Sequence, residues 1–516
     1  MKRIIIIFLL IATLFVSCGS NAASGTTPTD TTASQTTEKK QSETVSDIIT
    51  EPTETVADTV ADTVTETTEA PLVAELPELN LNGEKITIMY RASLKNEFWT
   101  EGLSGEIVND AIYERNRSVE ELFNCALDYI PNDNTNWNGG YQGVISRSVL
   151  AGDETYDIVS GPAYHIISLI PEHLMYDLYE VEHIDFEKPW WNQGLLDTTA
   201  IGNRIYFASG DISLGMIKYL HCTFFNKRLV NEYDMGDLYQ TVLDGKWTVE
   251  KMESLTKDKY SDLNGDGTKD YENDSFGYVI NDKYLWRAYI DALDVSLISL
   301  NSDKLPELNI TNERIYDVYD LFYRWCGTGS SGDIILANGN KTAYSLFTSG
   351  RSIFTMGRFV DAETEYRDMK DSFGVLPVPK WDESQDEYHV TICGSESTFG
   401  IPSNSSKTEY LGAIMEALAY ESYKNVTPVY YESALKLKYT DEAIDAQIID
   451  IIKNGSRFNP TVQLGKLIGN GKIEYSIINT VISANDKTSI ASVLKGNQKA
   501  WEKEIEDFIA MTREVQ

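Results

Sequence analysis

The chain has 516 residues, 42% of them apolar and 11% aromatic, so it can bury a large core. A formal charge of −35 with no Lys/Arg cluster excludes a surface that binds a phosphate backbone, and nucleic acid is not an expected partner. The five cysteines are widely spaced without a CxxC pair, which excludes a Cys-ligated zinc site and a disulfide framework.

Lys2 and Arg3 precede an apolar run over 4–16 that only Thr13 breaks, and Ser17 then precedes Cys18. The run is shorter than the roughly 20 residues a membrane span needs, so residues 1–17 read as an export signal. The small residue before Cys18 resembles a bacterial lipobox, although Phe15 stands where that motif prefers Leu, Val or Ile. The resemblance implies lipidation at Cys18 and an extracellular protein held at the cell membrane by its anchor alone. The plainer alternative is a secretory signal with an incidental cysteine. Residues 18–78 are rich in Thr, Ser, Asp and Glu, with an imperfect repeat in VADTVADTVTETTEA. Such a segment cannot bury enough apolar surface to offset its ordering entropy, so it reads as a disordered tether.

The folded part starts with GEKITIMY (83–90), an alternating strand, followed by a helix over 106–124 at 3.6-residue spacing. ALDYI resumes a strand, 143–150 reads as a helix and YDIVSG (156–161) as a buried strand. This alternation predicts a parallel α/β sheet with its ligand crevice beyond Tyr90-Arg91 and beyond 160–164. HCTFFNKRLV reads as a strand feeding a helix, and GKWTVEKMESLTK as a helix with Thr248 as N-cap. SFGYVI, SIFTMG and FGVLPVP are strand-like. TEYLGAIMEALAYESY and EAIDAQIIDIIKNG are amphipathic helices, the second closed by Gly455. Cys125, Cys222, Cys326 and Cys393 read as small buried apolar residues.

DLNGDGTKDYEND (262–274) carries the most specific spacing in the chain. Asp262, Asn264, Asp266 and Asp270 occupy positions one, three, five and nine of an EF-hand-type loop, Gly267 the turn position, and Thr268 offers a carbonyl at seven. Alternate oxygen ligands in a curled loop suit calcium. Position twelve is Asn273, so Glu272 or Asp274 must close the shell. A strand-like segment follows the loop, which favours a structural clip over a sensing helix pair. An Asx-rich turn without an ion is the simpler alternative.

No HExxH, GxSxG or phosphate-cradling GxxxxGK[ST] is present, and the abundant carboxylates select no glycosidase pair. Several segments together, NKRLVNEYDMGDLYQTVLDGKWTVEKM, the acidic loop followed by FGY, FTSGRSIFTMGRF, YRDMKDSFGVLPVPKWDESQDEYHV and YYESALKLKYTDEAIDAQIIDII, resemble the extracellular solute-binding proteins of ABC importers. The likeness is to the sugar-associated family 1 lipoproteins of Gram-positive bacteria and covers about 83–516. It implies an α/β, two-lobed periplasmic-binding-protein-like fold of type II with hinge strands between the lobes. The first lobe would take 79–218 plus 391–430, and the second 222–388 plus 431–516. A monomer without catalysis would pass a carbohydrate, of oligosaccharide size, to ABC permease subunits.

The same resemblance places ligand contacts at Tyr90, Arg91, Tyr164, Asp211, Tyr219, Trp286, Arg358 and Glu396. Aromatic faces stack on sugar C–H faces, and Asp, Glu and Arg bond hydroxyl pairs. It would also bring Cys222 and Cys393 near one another in the hinge strands, where they could pair. Trp190-Trp191 could be packing or a ligand platform. A surface glycan-active enzyme and a ligand sensor for a membrane kinase are the rival classes.

Overall fold

A computed structural model describes residues 72–134, 139–281, 285–327, 330–435, 442–483 and 490–513. The signal, Cys18 and nearly all of the expected tether lie outside the described residues. Within 72–78, Ala74 is buried and Leu76 packs on the core, so ordered packing begins upstream of residue 79.

Two sheets organise the chain. In the first, Glu84–Arg91 lies between Cys125–Asn132 and Ile158–Pro162, all parallel, and Ser397–Gly400 returns antiparallel on the edge. In the second, Asp274–Asn281 pairs in parallel with Ser352–Arg358 and Ile334–Ala337. His221–Asn226 runs antiparallel between Ser352–Arg358 and Phe373–Leu376. Parallel strands are covered on both faces, which is why FGYVI and SIFTMG are almost continuously apolar and buried.

Period-two geometry divides the first strand between two cores. Ile86, Ile88 and Tyr90 pack in the cluster under helices Ile107–Phe123 and Thr408–Glu421. Met89 faces the other way, into a larger cluster that runs on through the second sheet to the C-terminal helices Ser476–Ser483 and Ile490–Arg513.

The chain passes from the first sheet to the second through the short helix Gly215–Lys218 and returns over 392–396. The passages touch: Leu220 bridges Ile392, and the Cys393 N–H donates to the Tyr219 carbonyl (3.1 Å). This register seats Tyr219, not Cys222, beside Cys393, and all four described cysteines are free, which corrects the implied pairing. Cys222 and Cys393 are buried as expected, whereas Cys125 and Cys326 are only half-buried.

Thr248 caps its helix by accepting the Lys251 N–H (3.2 Å). Gly455 follows Glu442–Asn454 for a reason other than a left-handed cap. Its φ is not positive, and a Cβ there would stand 2.1 Å from the Tyr388 carbonyl oxygen. Trp190 and Trp191 are buried, and their indole N–H groups both donate to the buried Glu416 carboxylate (2.9 and 2.8 Å). That anchoring makes the pair a packing element.

Candidate functional site: a polar crevice at the chain crossings

Parallel strands aim the backbone at their carboxyl ends, where connecting loops leave a crevice. Arg91 ends Glu84–Arg91, Tyr164 follows Ile158–Pro162, and Arg358 ends Ser352–Arg358. Tyr219 and Glu396 sit in the two passages between the sheets. These five expected ligand residues come together.

Tyr219 is the centre of the group. The Arg91 guanidinium lies 5.8 Å and that of Arg358 5.4 Å from its ring centroid, and Arg91 Nη2 donates to the phenol oxygen (3.3 Å). Burial raises the phenol's pKa well above the tyrosine range, so it stays neutral and can both donate and accept. Tyr164 is raised likewise by burial and lies under the Lys466 ammonium at 5.1 Å.

Arg358 is held by its own helix start. Its N–H and Nη2 donate to Asp361 (2.8 and 2.9 Å), and Asp361 also accepts the Tyr344 hydroxyl (3.0 Å). Gly357 makes room for this, because a Cβ there would lie 2.9 Å from Asp361 Oδ2. Glu396 is fully buried and no side chain hydrogen-bonds either of its oxygens. Burial pushes its carboxyl up to about 7, against the opposing pull of nearby backbone N–H groups and of Arg287 and Arg91.

Two further residues belong to the crevice without having been expected there. Glu97, buried at the end of Ala92–Glu97, accepts the hydroxyls of Ser213 (2.7 Å) and Ser397 (3.0 Å) through one oxygen, while the other is buried without a partner. Arg287, in helix Leu285–Ala292, pairs with Glu474 and donates to the Cys393 carbonyl (3.1 Å). The expected neighbour Trp286 stands in the first turn of that helix, with its side chain outside the described residues. Glu97 stands six residues beyond Arg91, at the end of the helical turn that follows its strand.

Tyr90 and Asp211 are not in the group. Tyr90 points to the core face with Ile86 and Ile88, packs on Phe98 and Tyr129, and accepts from Trp99 Nε1 (3.2 Å). Asp211 is buried, accepts the Thr427 hydroxyl (2.6 Å) and lines a separate pocket of about 240 Å³ with Trp190, Leu220 and Lys453. None of the five clustered residues lines that pocket. The loop residues Asp262, Asn264, Asp266, Thr268, Asp270, Glu272 and Asp274 lie at the amino end of Asp274–Asn281, whereas the crevice lies at carboxyl ends.

The charges in the crevice are largely compensated. Arg358 pairs with Asp361 and Arg287 with Glu474, while Arg91 has no carboxylate at ion-pair distance among the described residues. Buried polar atoms are normally satisfied, so the unpartnered Arg91 Nε, Glu97 Oε1 and Glu396 oxygens are matched to an added group bearing both donors and acceptors. The arrangement sets hydrogen-bond donors and acceptors around an aromatic ring.

Two sheets joined by touching passages, with a polar crevice at the strand ends, define a periplasmic-binding-protein-type fold. No family model and no curated protein matches the sequence. Solved structures share its fold. A cyclo/maltodextrin-binding protein complexed with maltotetraose aligns with a TM-score of 0.53 at 12% identity, covering 84% of this chain and 97% of that one. The GacH receptor of Streptomyces glaucescens, solved unliganded and with acarbose, aligns with a TM-score of 0.51 at 12% identity, over 82% and 99%. The ABC substrate-binding protein Lmo0181 from Listeria monocytogenes, in complex with cycloalternan, gives a TM-score of 0.48 at 12% identity over 84% and 99%. The chain has the mixed α/β fold of these binding proteins over most of its length. Among the described residues, no helix is long and apolar enough to cross a membrane.

Proposed function

We propose that this chain is an extracellular solute-binding protein that captures an oligosaccharide in the crevice and delivers it to an ABC permease. The observation that carries the reading is the Tyr219 ring with two guanidinium groups close to it, in a group that also holds buried, unpartnered oxygens of Glu97 and Glu396. A sugar ring offers an apolar C–H face to the phenol and hydroxyls that donate to carboxylates and accept from arginine. The paired charges suit a neutral ligand. The two sheets with their helices act as lobes that close on it, driven by the ligand's better affinity for the closed arrangement.

Titration calorimetry against a panel of oligosaccharides tests this. Saturable binding of at least one neutral oligosaccharide is expected, and binding of peptides or amino acids in its place would overturn the assignment. A glycan-active enzyme is the second reading, since buried Glu396 adjoins Ser397, whose hydroxyl donates to buried Glu97, and a glycosidase uses two carboxyls. Recovering the bound sugar intact after long incubation separates the two.

In the same reading, Cys18 carries the lipid and the Thr-rich tether holds the protein beside its transporter. Metabolic labelling with a fatty-acid probe is expected to mark the wild-type chain and not Cys18→Ser. Equal labelling of both would remove the anchor.

A further inference from the structure

The acidic loop is left unused by sugar capture, and its chemistry is independent of that reading. Like charges set directly opposite one another in a β ladder repel. Here Asp262 of Ser261–Asp262 faces Asp274 across an antiparallel pair, and side chains of opposed residues leave the ladder on the same face. Asp274 is fully buried. Its Oδ2 accepts the Tyr260 hydroxyl (2.9 Å) and the Asp270 N–H (2.9 Å), which turns the carboxylate into the loop. Its Oδ1 is buried and has no hydrogen-bond partner.

No Lys or Arg among the described residues pairs with Asp262, Asp266, Asp270 or Asp274. The nearby Arg351 guanidinium is engaged by the carbonyls of Tyr271 (2.8 Å) and Asp274 (3.1 Å). The fold therefore buries one oxygen of an acidic side chain opposite a second acid, and among the described residues no Lys or Arg forms an ion pair with either.

The remainder of the loop is curled about Asp262. Its two oxygens accept the N–H groups of Gly265 (2.7 Å) and Gly267 (2.8 Å), both glycines at positive φ. Asp266 accepts the Thr268 N–H (2.7 Å) and the Asn264 side-chain amide (2.9 Å). Each carboxylate has about four lone-pair sites, so these bonds leave Asp262 and Asp266 with lone pairs to offer a cation. No three His, Cys, Asp or Glu side chains among the described residues are gathered into a ready-made cage, so the loop's carboxylates must draw together when an ion binds and neutral oxygens must complete the shell. That requirement favours a hard cation content with carbonyl and amide oxygens.

We propose that the 262–274 loop binds one calcium ion, with Asp274 rather than Glu272 as its closing carboxylate. Asp262, Asn264, Asp266 and the Thr268 carbonyl supply the other protein oxygens. Glu272 is exposed and stays outside the shell. The ion neutralises the opposed Asp262 and Asp274 and ties the hairpin to the second sheet.

The full-length chain, stripped with EGTA, is titrated with calcium chloride by calorimetry and melted with and without the ion. One calcium per chain is expected, with a dissociation constant on the order of 0.1–1 mM as for extracellular modules, and a higher melting temperature when bound. Magnesium at the same concentration is expected to give a smaller shift. Asp274→Asn and Asp262→Asn lose the calcium-dependent shift, and Glu272→Gln keeps it. If Asp274→Asn fails to fold, Asp262→Asn and Glu272→Gln decide. Absence of both heat and shift in the wild-type chain would overturn the site. Loss of the shift in Glu272→Gln with its retention in Asp262→Asn or Asp274→Asn would overturn the ligand assignment.

Discussion

Tyr219→Ala is expected to weaken oligosaccharide binding by about 30- to 150-fold, or ~2–3 kcal/mol, the range of an interface hot spot. The ring is 7% exposed, and the Arg91 and Arg358 guanidinium groups lie 5.8 and 5.4 Å from its centroid. Deleting it removes the stacking face and both cation–π contacts, and leaves two guanidinium groups without their aromatic partner. Tyr219→Phe isolates the hydroxyl, whose bond from Arg91 is long at 3.3 Å, so a loss below about fivefold is expected. Tyr90→Phe is the control. Its hydroxyl bonds Trp99 in the core, so stability drops and affinity does not. Calorimetry read beside melting temperatures separates these cases. Wild-type affinity in Tyr219→Ala would remove the crevice from the binding reaction.

That contrast between Tyr90 and Tyr219 shows what the sequence carried and what it did not. Buried parallel strands announce themselves as apolar runs, so GEKITIMY, SFGYVI and SIFTMG could be placed, and their carboxyl ends led to Arg91, Tyr164 and Arg358. Neighbouring residues in a strand face opposite sides, and nothing in a lone sequence says which side is the crevice. Tyr90 and Arg91 were therefore indistinguishable, and only the packing of Ile86 and Ile88 puts Tyr90 in the core. Glu97 and Arg287 come from a tight turn and the first turn of a helix, where no periodic pattern singles out one polar residue. Glycine is common at helix stops, which is all the sequence says of Gly455, while close approach to Tyr388 is the actual constraint. The pairing of Cys222 and Cys393 failed on register, which depends on a single bridge, Leu220 to Ile392.

The second large effect is on pH dependence, and it arises from groups at the passages themselves. Glu396, fully buried, has its carboxyl pushed up to about 7 from an unfolded value of 4.5. Between those values the folded chain holds the proton more tightly, so stability is full below about 4.5 and falls as pH rises to about 7. The loss above 7 is about 3 kcal/mol, from ~1.4 kcal/mol per pH unit of difference. His221 acts in the opposite direction. Its ring is buried, its Nδ1 donates to the Thr391 carbonyl (2.8 Å), and burial lowers its pKa to about 3 from 6.5. Its contribution is full above about 6.5 and is lost as pH falls, by about 2 kcal/mol at pH 5. The two offset each other between about 4.5 and 6.5. Removing one unmasks the other. Glu396→Gln is therefore expected to exceed wild type in urea midpoint at pH 8, with the gain shrinking toward zero by pH 4.5, and to lose stability more steeply on acidification. Folding free energies at pH 5, 6, 7 and 8 for the two chains supply the difference, in which every unaltered titration cancels. A difference that stays constant across that range would mean that the Glu396 carboxyl is ionised throughout, and that Arg91 and Arg287 outweigh its burial.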